Sequence, residues 1–164
     1  MAAGAAAPRP AVTIAVESPL QDDLRELIAA LNAYLIPLSP LEFQFKMTVD
    51  QMARPDTTVF VARDAAGRAV GCGALKVQTA DMAEVKRMFT RPELRGQRIG
   101  ATILDEIERV ARDKGIATLM LETGEAPGFE PAYRLYENAG FTVRGAFLDY
   151  PDSGWSRFYE KSLR

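Results

Sequence analysis

A β-rich stretch, Val85 to Thr90, runs through the polar, glycine-bearing loop Arg91 to Arg98 into a long amphipathic pattern, and a second β-rich stretch, Ile116 to Glu122, follows. Ile99, Ile103, Leu104, Ile107, Val110 and Ala111 recur at three- and four-residue spacing, which puts them on one helical face, and Lys114-Gly115 closes the pattern. A helix of roughly 16 residues between two strands is too long for a hairpin, so the strands are expected to run parallel with a right-handed crossover. The spacing also predicts i,i+4 pairs, Asp105 with Arg109 and Glu108 with Arg112, on the solvent side of the helix.

The remaining elements arrange themselves around this unit. Val12 to Val16 reads as a short strand, and Ser18-Pro19 as the cap and first turn of a helix carrying Leu20, Leu24, Leu27, Ile28, Leu31 and Leu35 on one face until Pro37 and Pro40. Thr48 is placed to cap a short second helix over 49–52. Thr57 to Arg63 and Arg68 to Val77 form a hairpin across Asp64-Ala65-Ala66-Gly67, and the chain continues through Asp81 into the Val85 strand. Pro131 opens a last helix with Ala132, Leu135, Tyr136 and Ala139, closed by Gly140, and Phe141 to Val143 and Arg157 to Lys161 supply the final strands. The order β, α, α, β, β, β, α, β, α, β, β implies a single α+β domain over 11–164, a mixed central sheet flanked by helices on both faces.

Composition removes several chemistries. The 164 residues suffice for one core, and a net charge of -2 gives no reason to expect nucleic acid as partner. With one cysteine and no histidine, neither a disulfide nor a cysteine zinc cluster is available and no metal site is expected. Proton transfer then falls to carboxylates, tyrosines, lysines, the thiol or water. The Ala-rich segment 1–10 lacks the bulky apolar core of a signal peptide and is expected to be a disordered leader. No run reaches the roughly 20 apolar residues of a membrane span, which points to the cytoplasm.

The segment Thr90-Arg91-Pro92-Glu93-Leu94-Arg95-Gly96-Gln97-Arg98-Ile99-Gly100-Ala101 is where chemistry is most readable. First-turn amides of a helix lack internal partners, Gly96 and Gly100 allow close approach to the backbone, Ala101 keeps the turn open, and Arg95 and Arg98 add positive charge. This suits a pyrophosphate; a plain helix start with solvent-facing arginines fits the same spacing. Dinucleotide and Walker patterns are absent.

These residues resemble the coenzyme A signature [QR]-x-x-G-x-[GA] of the GCN5-related N-acetyltransferase (GNAT) family, and Leu135-Tyr136-Glu137-Asn138-Ala139-Gly140-Phe141 is similar to its L-Y-x-x-x-G-F element. Arg98 departs from the pattern by standing where a glycine is usual; were positive φ needed there, it would cost on the order of 1 kcal/mol. The resemblance implies a GNAT-type acyl-CoA N-acyltransferase fold and direct transfer of acetyl from acetyl-CoA to a primary amine of a small molecule or protein. It places the cofactor on Met88, Phe89, Thr90, Arg95, Gly96, Gln97, Arg98, Ile99, Gly100 and Ala101, with the pantetheine arm pairing as a strand where the parallel strands splay after residue 90.

On the same resemblance Tyr136 gives a proton to the departing thiolate, although its helical spacing also fits packing. Glu84 matches a strand position that carries a base in some members, while others draw the proton through water; Glu84 equally reads as an exposed strand-end carboxylate, and Glu122, at the end of the parallel strand beside Gly124, is a second candidate. Cys72, between Gly71 and Gly73 and without a histidine to activate it, reads as a small buried residue. A non-catalytic acyl-CoA-binding sensor is the alternative, and a nucleotide-binding α/β protein a third reading. Protein N-termini, lysines, polyamines, amino acids and antibiotics all fit as acceptor, and Trp155, Phe158 and Tyr159 suit either a homodimer interface or the last strand.

Overall fold

The computed structural model describes residues 11–164; the expected leader, 1–10, lies outside them. Seven strands, β1 (Thr13–Val16), β2 (Thr57–Arg63), β3 (Ala69–Val77), β4 (Met82–Thr90), β5 (Thr118–Gly124), β6 (Thr142–Arg144) and β7 (Ser156–Ser162), form one sheet in the order β1-β2-β3-β4-β5-β7-β6. Only β4 and β5 run parallel; every other neighbouring pair is antiparallel. The helices are α1 (Asp22–Leu35), α2 (Val49–Met52), α3 (Ile99–Asp113) and α4 (Glu130–Asn138).

Both faces of the sheet are covered, as the alternating and helical apolar patterns require. On one face Leu24, Leu27, Ile28 and Leu31 of α1 pack with Met47 and Met52 over Val59, Val61, Cys72, Ala74 and Phe89. On the other, Ile99, Ile103, Leu104, Ile107 and Ala111 of α3 and Tyr136 of α4 cover Phe60, Leu75, Val85, Leu119 and Leu121. Each fully buried Leu or Ile contributes about 1.5–3 kcal/mol relative to exposure. Phe158 and Tyr159 are buried in the last strand, while Trp155 is partly exposed.

Several local expectations shift. The first helix begins at Asp22 rather than after Ser18-Pro19: Ser18 Oγ accepts from Leu20 N–H in a short turn, and Leu20 is exposed. Thr48 does cap α2, in a reciprocal pair with Gln51. The β2–β3 turn closes on Asp64, whose side chain accepts from the amides of Ala66 and Arg68. Arg109 pairs with Glu106 and Asp113, not with Asp105. The Glu108–Arg112 pair forms, but Glu108 is buried and held also by Lys161 at 2.8 Å. Lys161 donates in addition to the Ala139 carbonyl, so β7 ties the ends of α3 and α4 together.

The feature that positions the site is the parting of β4 and β5. Their register holds only between Met82–Glu84 and Thr118–Met120, after which β5 stays paired with β7 along its length. The strands therefore diverge from Val85, not after residue 90. On the other side β4 keeps its pairing with β3 through a bulge: Ala74 faces Lys86 and Cys72 faces Phe89, with Arg87 at φ 55 in between. A bulge of this kind bends and twists the strand that carries it, and here the β5-facing backbone edge of 85–90 is left without a strand partner.

Candidate active site

The diverging strands open a cavity of about 950 Å³, bounded by the start of α3, the inner face of α4, the end of α1 and the segment 39–46. Its floor is built by the loop between β4 and α3. Arg91 anchors the loop, donating from its backbone N–H to Val70 O (2.9 Å) and from Nε to Ala69 O (2.9 Å). A 3₁₀ turn over Pro92–Leu94 follows, then two left-handed residues, Gly96 (φ 85) and Arg98 (φ 62, ψ 22), flank Gln97. Thr102 N–H closes the first helical hydrogen bond onto Arg98 O at 3.0 Å, so the amides of Ile99, Gly100 and Ala101 precede the helical ladder. Among the described residues no side chain caps them, and no acid stands in the first turn. The amides and the positive end of the helix dipole are thus of the kind that suits an anion.

Nine of the ten residues read from sequence as cofactor-binding line this cavity; the exception is exposed Gln97. Ile99 and Phe89 do so while largely buried in the two cores. Gly96 needs its left-handed φ, whereas a Cβ on Gly100 would meet only ordinary contacts with Leu135 and Thr90. Arg98 adopts the positive-φ conformation whose cost was raised from sequence, and its side chain stays exposed. Arg95 instead reaches across to α1, its guanidinium 5.1 Å from the centre of the Tyr34 ring. Tyr34 in turn donates to Gly128 O at 2.6 Å, joining α1 to the β5–α4 loop.

Tyr136 lines the cavity from α4, packed edge-on to Phe141 and tilted against Tyr159. Burial first, then the charge of Glu122, pushes its phenol above the ordinary tyrosine value, so it holds its proton at neutral pH. Glu122 lines the same cavity and accepts from Ser156 Oγ at 2.6 Å; burial pushes its carboxyl above the usual carboxylate value, against that hydrogen bond. Glu84 sits differently. It is 2 % exposed, does not line the cavity, and is engaged by Gln78 Nε2 (2.9 Å), Lys86 Nζ (3.1 Å) and the Tyr150 hydroxyl.

Tyr150, Lys86 and Arg87 had no signal in the sequence. Tyr150 comes from the irregular segment before β7 and joins Phe45, Phe147 and Phe158 in an aromatic cluster beside Lys86. Arg87 is delivered by the bulge. Cys72 is buried, as expected; burial pushes its thiol up to about 12, which leaves it unreactive at neutral pH.

Known proteins resemble this chain along nearly its whole length. The family model of the GNAT acetyltransferase domain matches residues 55–143. The IAA acetyltransferase of Azospirillum brasilense is 44% identical over 155 residues, covering 94% of this chain and 99% of that one. The N-acetyltransferase YsnE of Bacillus subtilis, itself uncharacterized, is 33% identical over 147 residues, covering 87% and 97%. A solved chain of the acyl-CoA N-acyltransferase type from Klebsiella pneumoniae superimposes with a TM-score of 0.80 at 32% identity, covering 93% and 98%. An aminoglycoside 6'-N-acetyltransferase solved with coenzyme A shares the fold at a TM-score of 0.71 and 17% identity, covering 93% and 97%.

Proposed function

Since the chain belongs to the GNAT family of acetyltransferases and is an acyl-CoA-dependent acyltransferase, we propose that it moves acetyl from acetyl-CoA directly to a primary amine in a ternary complex. The observation that carries the site assignment is the unpaired β5-facing edge of β4 from Val85, opening onto the uncapped amides of α3. Acetyl-CoA supplies an activated thioester. In this reading the amides of Ile99, Gly100 and Ala101 take the pyrophosphate, Arg98 adds charge beside it, and the free edge near Met88 and Thr90 takes the pantetheine arm as an added strand.

An amine of ordinary pKa near 10 must lose a proton before it attacks. Glu122 is the group we assign to accept it, because it lines the cavity and its raised pKa makes it a better proton acceptor than an ordinary carboxylate. Glu84 then acts from behind, through the Lys86 and Tyr150 contacts that separate it from the cavity. As the nitrogen–carbon bond forms and the carbon–sulfur bond breaks, Tyr136 donates its proton to the departing thiolate, and bulk water restores it. Both groups sit in a largely apolar setting that strengthens their interaction with developing charge.

The named relatives favour this enzyme over a non-catalytic acyl-CoA sensor. The experiment that tests it is thioester consumption with a panel of amines. Free thiol released with an N-acetyl product supports the proposal, and binding of acetyl-CoA without turnover of any acceptor class would leave the sensor reading in its place.

A further inference from the structure

The wall of the cavity between β4 and α1 carries a cation that none of the described residues neutralises. Arg87 lines the cavity and is 8 % exposed. Its Nη2 donates to Asn32 Oδ1 on α1, its Nε is sealed without a partner, and among the described residues no carboxylate pairs with it. Glu84, three positions back on the strand, is already taken by Gln78, Lys86 and Tyr150. Glu122 is held by Ser156. Cys72, whose thiol meets the Arg87 carbonyl at 3.5 Å, is neutral and supplies no counter-charge.

A buried guanidinium without a counter-ion is costly, and burial pushes the Arg87 pKa down only to about 10, so the charge persists at neutral pH. Planar forked donors of this kind suit a carboxylate. The surroundings have the same sign: a second crevice shares Lys46 and Lys86 with the cavity and adds Arg54 and Lys76 against one acid, Asp56. The walls nearby are apolar, with Phe45 and Phe129 among them.

We infer that the acceptor is a primary amine that also bears a carboxylate and an apolar body, as amino acids do, with Arg87 holding the carboxylate while the amine faces Glu122. This rests on the acetyltransfer reading above and narrows it. Arg87 is then a specificity-determining residue whose counter-ion arrives with the substrate. Of the two carboxylates read from sequence as candidate bases, Glu84 is paired with Lys86 and lies outside the cavity, and Glu122 lines it.

The test compares matched pairs in a thiol-release assay: phenylalanine with phenethylamine, leucine with isoamylamine, and 6-aminohexanoate with hexylamine. The expected result is that in at least one pair the acid has a kcat/KM about 100-fold or more above its partner, because a buried donor left unpaired rejects the ligand that lacks the acceptor. In Arg87→Gln that ratio falls below about threefold, and in Arg87→Lys it is intermediate. Asn32→Asp, which places a carboxylate against the guanidinium, cuts the ratio about tenfold or more and serves where Arg87→Gln does not fold. Equal or better turnover of the amines lacking a carboxylate, or an acid preference that survives in folded Arg87→Gln, overturns the inference. No turnover of either set by protein that binds acetyl-CoA also overturns it. Absence of acetyl-CoA binding in the same preparation removes the reading beneath it.

Discussion

Arg98 offers a perturbation in which stability and function move in opposite directions. It occupies left-handed backbone, φ 62 and ψ 22, at the start of α3, with its side chain exposed beside the anion site. Left-handed geometry costs a non-glycine residue about 1–2 kcal/mol. Glycine removes that cost but loses about 0.5–1 kcal/mol more chain entropy on folding. The net expectation for Arg98→Gly is a stabilisation of about 0.5–1 kcal/mol. At an unfolding entropy of about 2.1 cal/mol/K per residue, this raises the melting temperature of a chain this long by about 1.5–3 °C. The lost cation acts the other way. A unit charge about 6 Å from a phosphate in high dielectric is worth about 0.7 kcal/mol, more near protein, so acetyl-CoA affinity should fall roughly three- to fivefold. Arg98→Ala separates the effects, since alanine keeps the strained φ: affinity falls as in the glycine variant, with no gain in melting temperature. Thermal unfolding of the free protein and calorimetric titration at low and high salt measure both quantities. A glycine variant that melts below the parent would show that Arg98 carries no net strain, and one that binds equally well at low salt would show that its charge does not reach the ligand.

Three further variants probe the site and its supports. Tyr136→Phe should keep acetyl-CoA affinity and lower kcat by about 10 to 10⁴, as steady-state kinetics would read; unchanged kcat removes the proton-donor role. Glu122→Gln should abolish the rise of kcat/KM with pH that tracks the raised carboxyl pKa. Because the folded chain holds that proton more tightly than the unfolded one, Glu122 should also make stability decline as pH rises from the ordinary carboxyl value through the raised one, and denaturant titrations across that window should show the decline lost in the variant. Gly124→Ala would drive a Cβ into the Phe129 ring, so it should destabilise the fold by about 1–3 kcal/mol in urea titration; a neutral result would mean the β5–α4 loop yields freely.

What could be read from sequence follows from how local the determinants are. The strand–loop–helix–strand unit was legible because Ile99, Ile103, Leu104 and Ile107 repeat with the helical period and Gly115 ends the helix at φ 78. The turn at Gly96 and the uncapped start of α3 were legible for the same reason: adjacent residues make both. The start of α1 was not, since Ser18 spends its hydroxyl on Leu20 in a turn and the helix begins uncapped at Asp22. The true partners of Arg109 were missed because i,i+3 and i,i+4 acids compete for one guanidinium and only rotamers choose. The acceptor side was the least legible part. Tyr150 meets Glu84 across 66 residues of chain, and Arg87 reaches α1 only because a bulge turns its backbone to φ 55. No pattern along the chain encodes either contact.

The free edge of β4 and the open amides of α3 make up the site we propose for acetyl-CoA. Isothermal calorimetry of the folded protein with acetyl-CoA, and in parallel with ATP and NAD, tests it most directly. One acetyl-CoA should bind per chain, more tightly than either nucleotide and more weakly as salt rises. No heat with acetyl-CoA, or tighter binding of ATP or NAD, would contradict it.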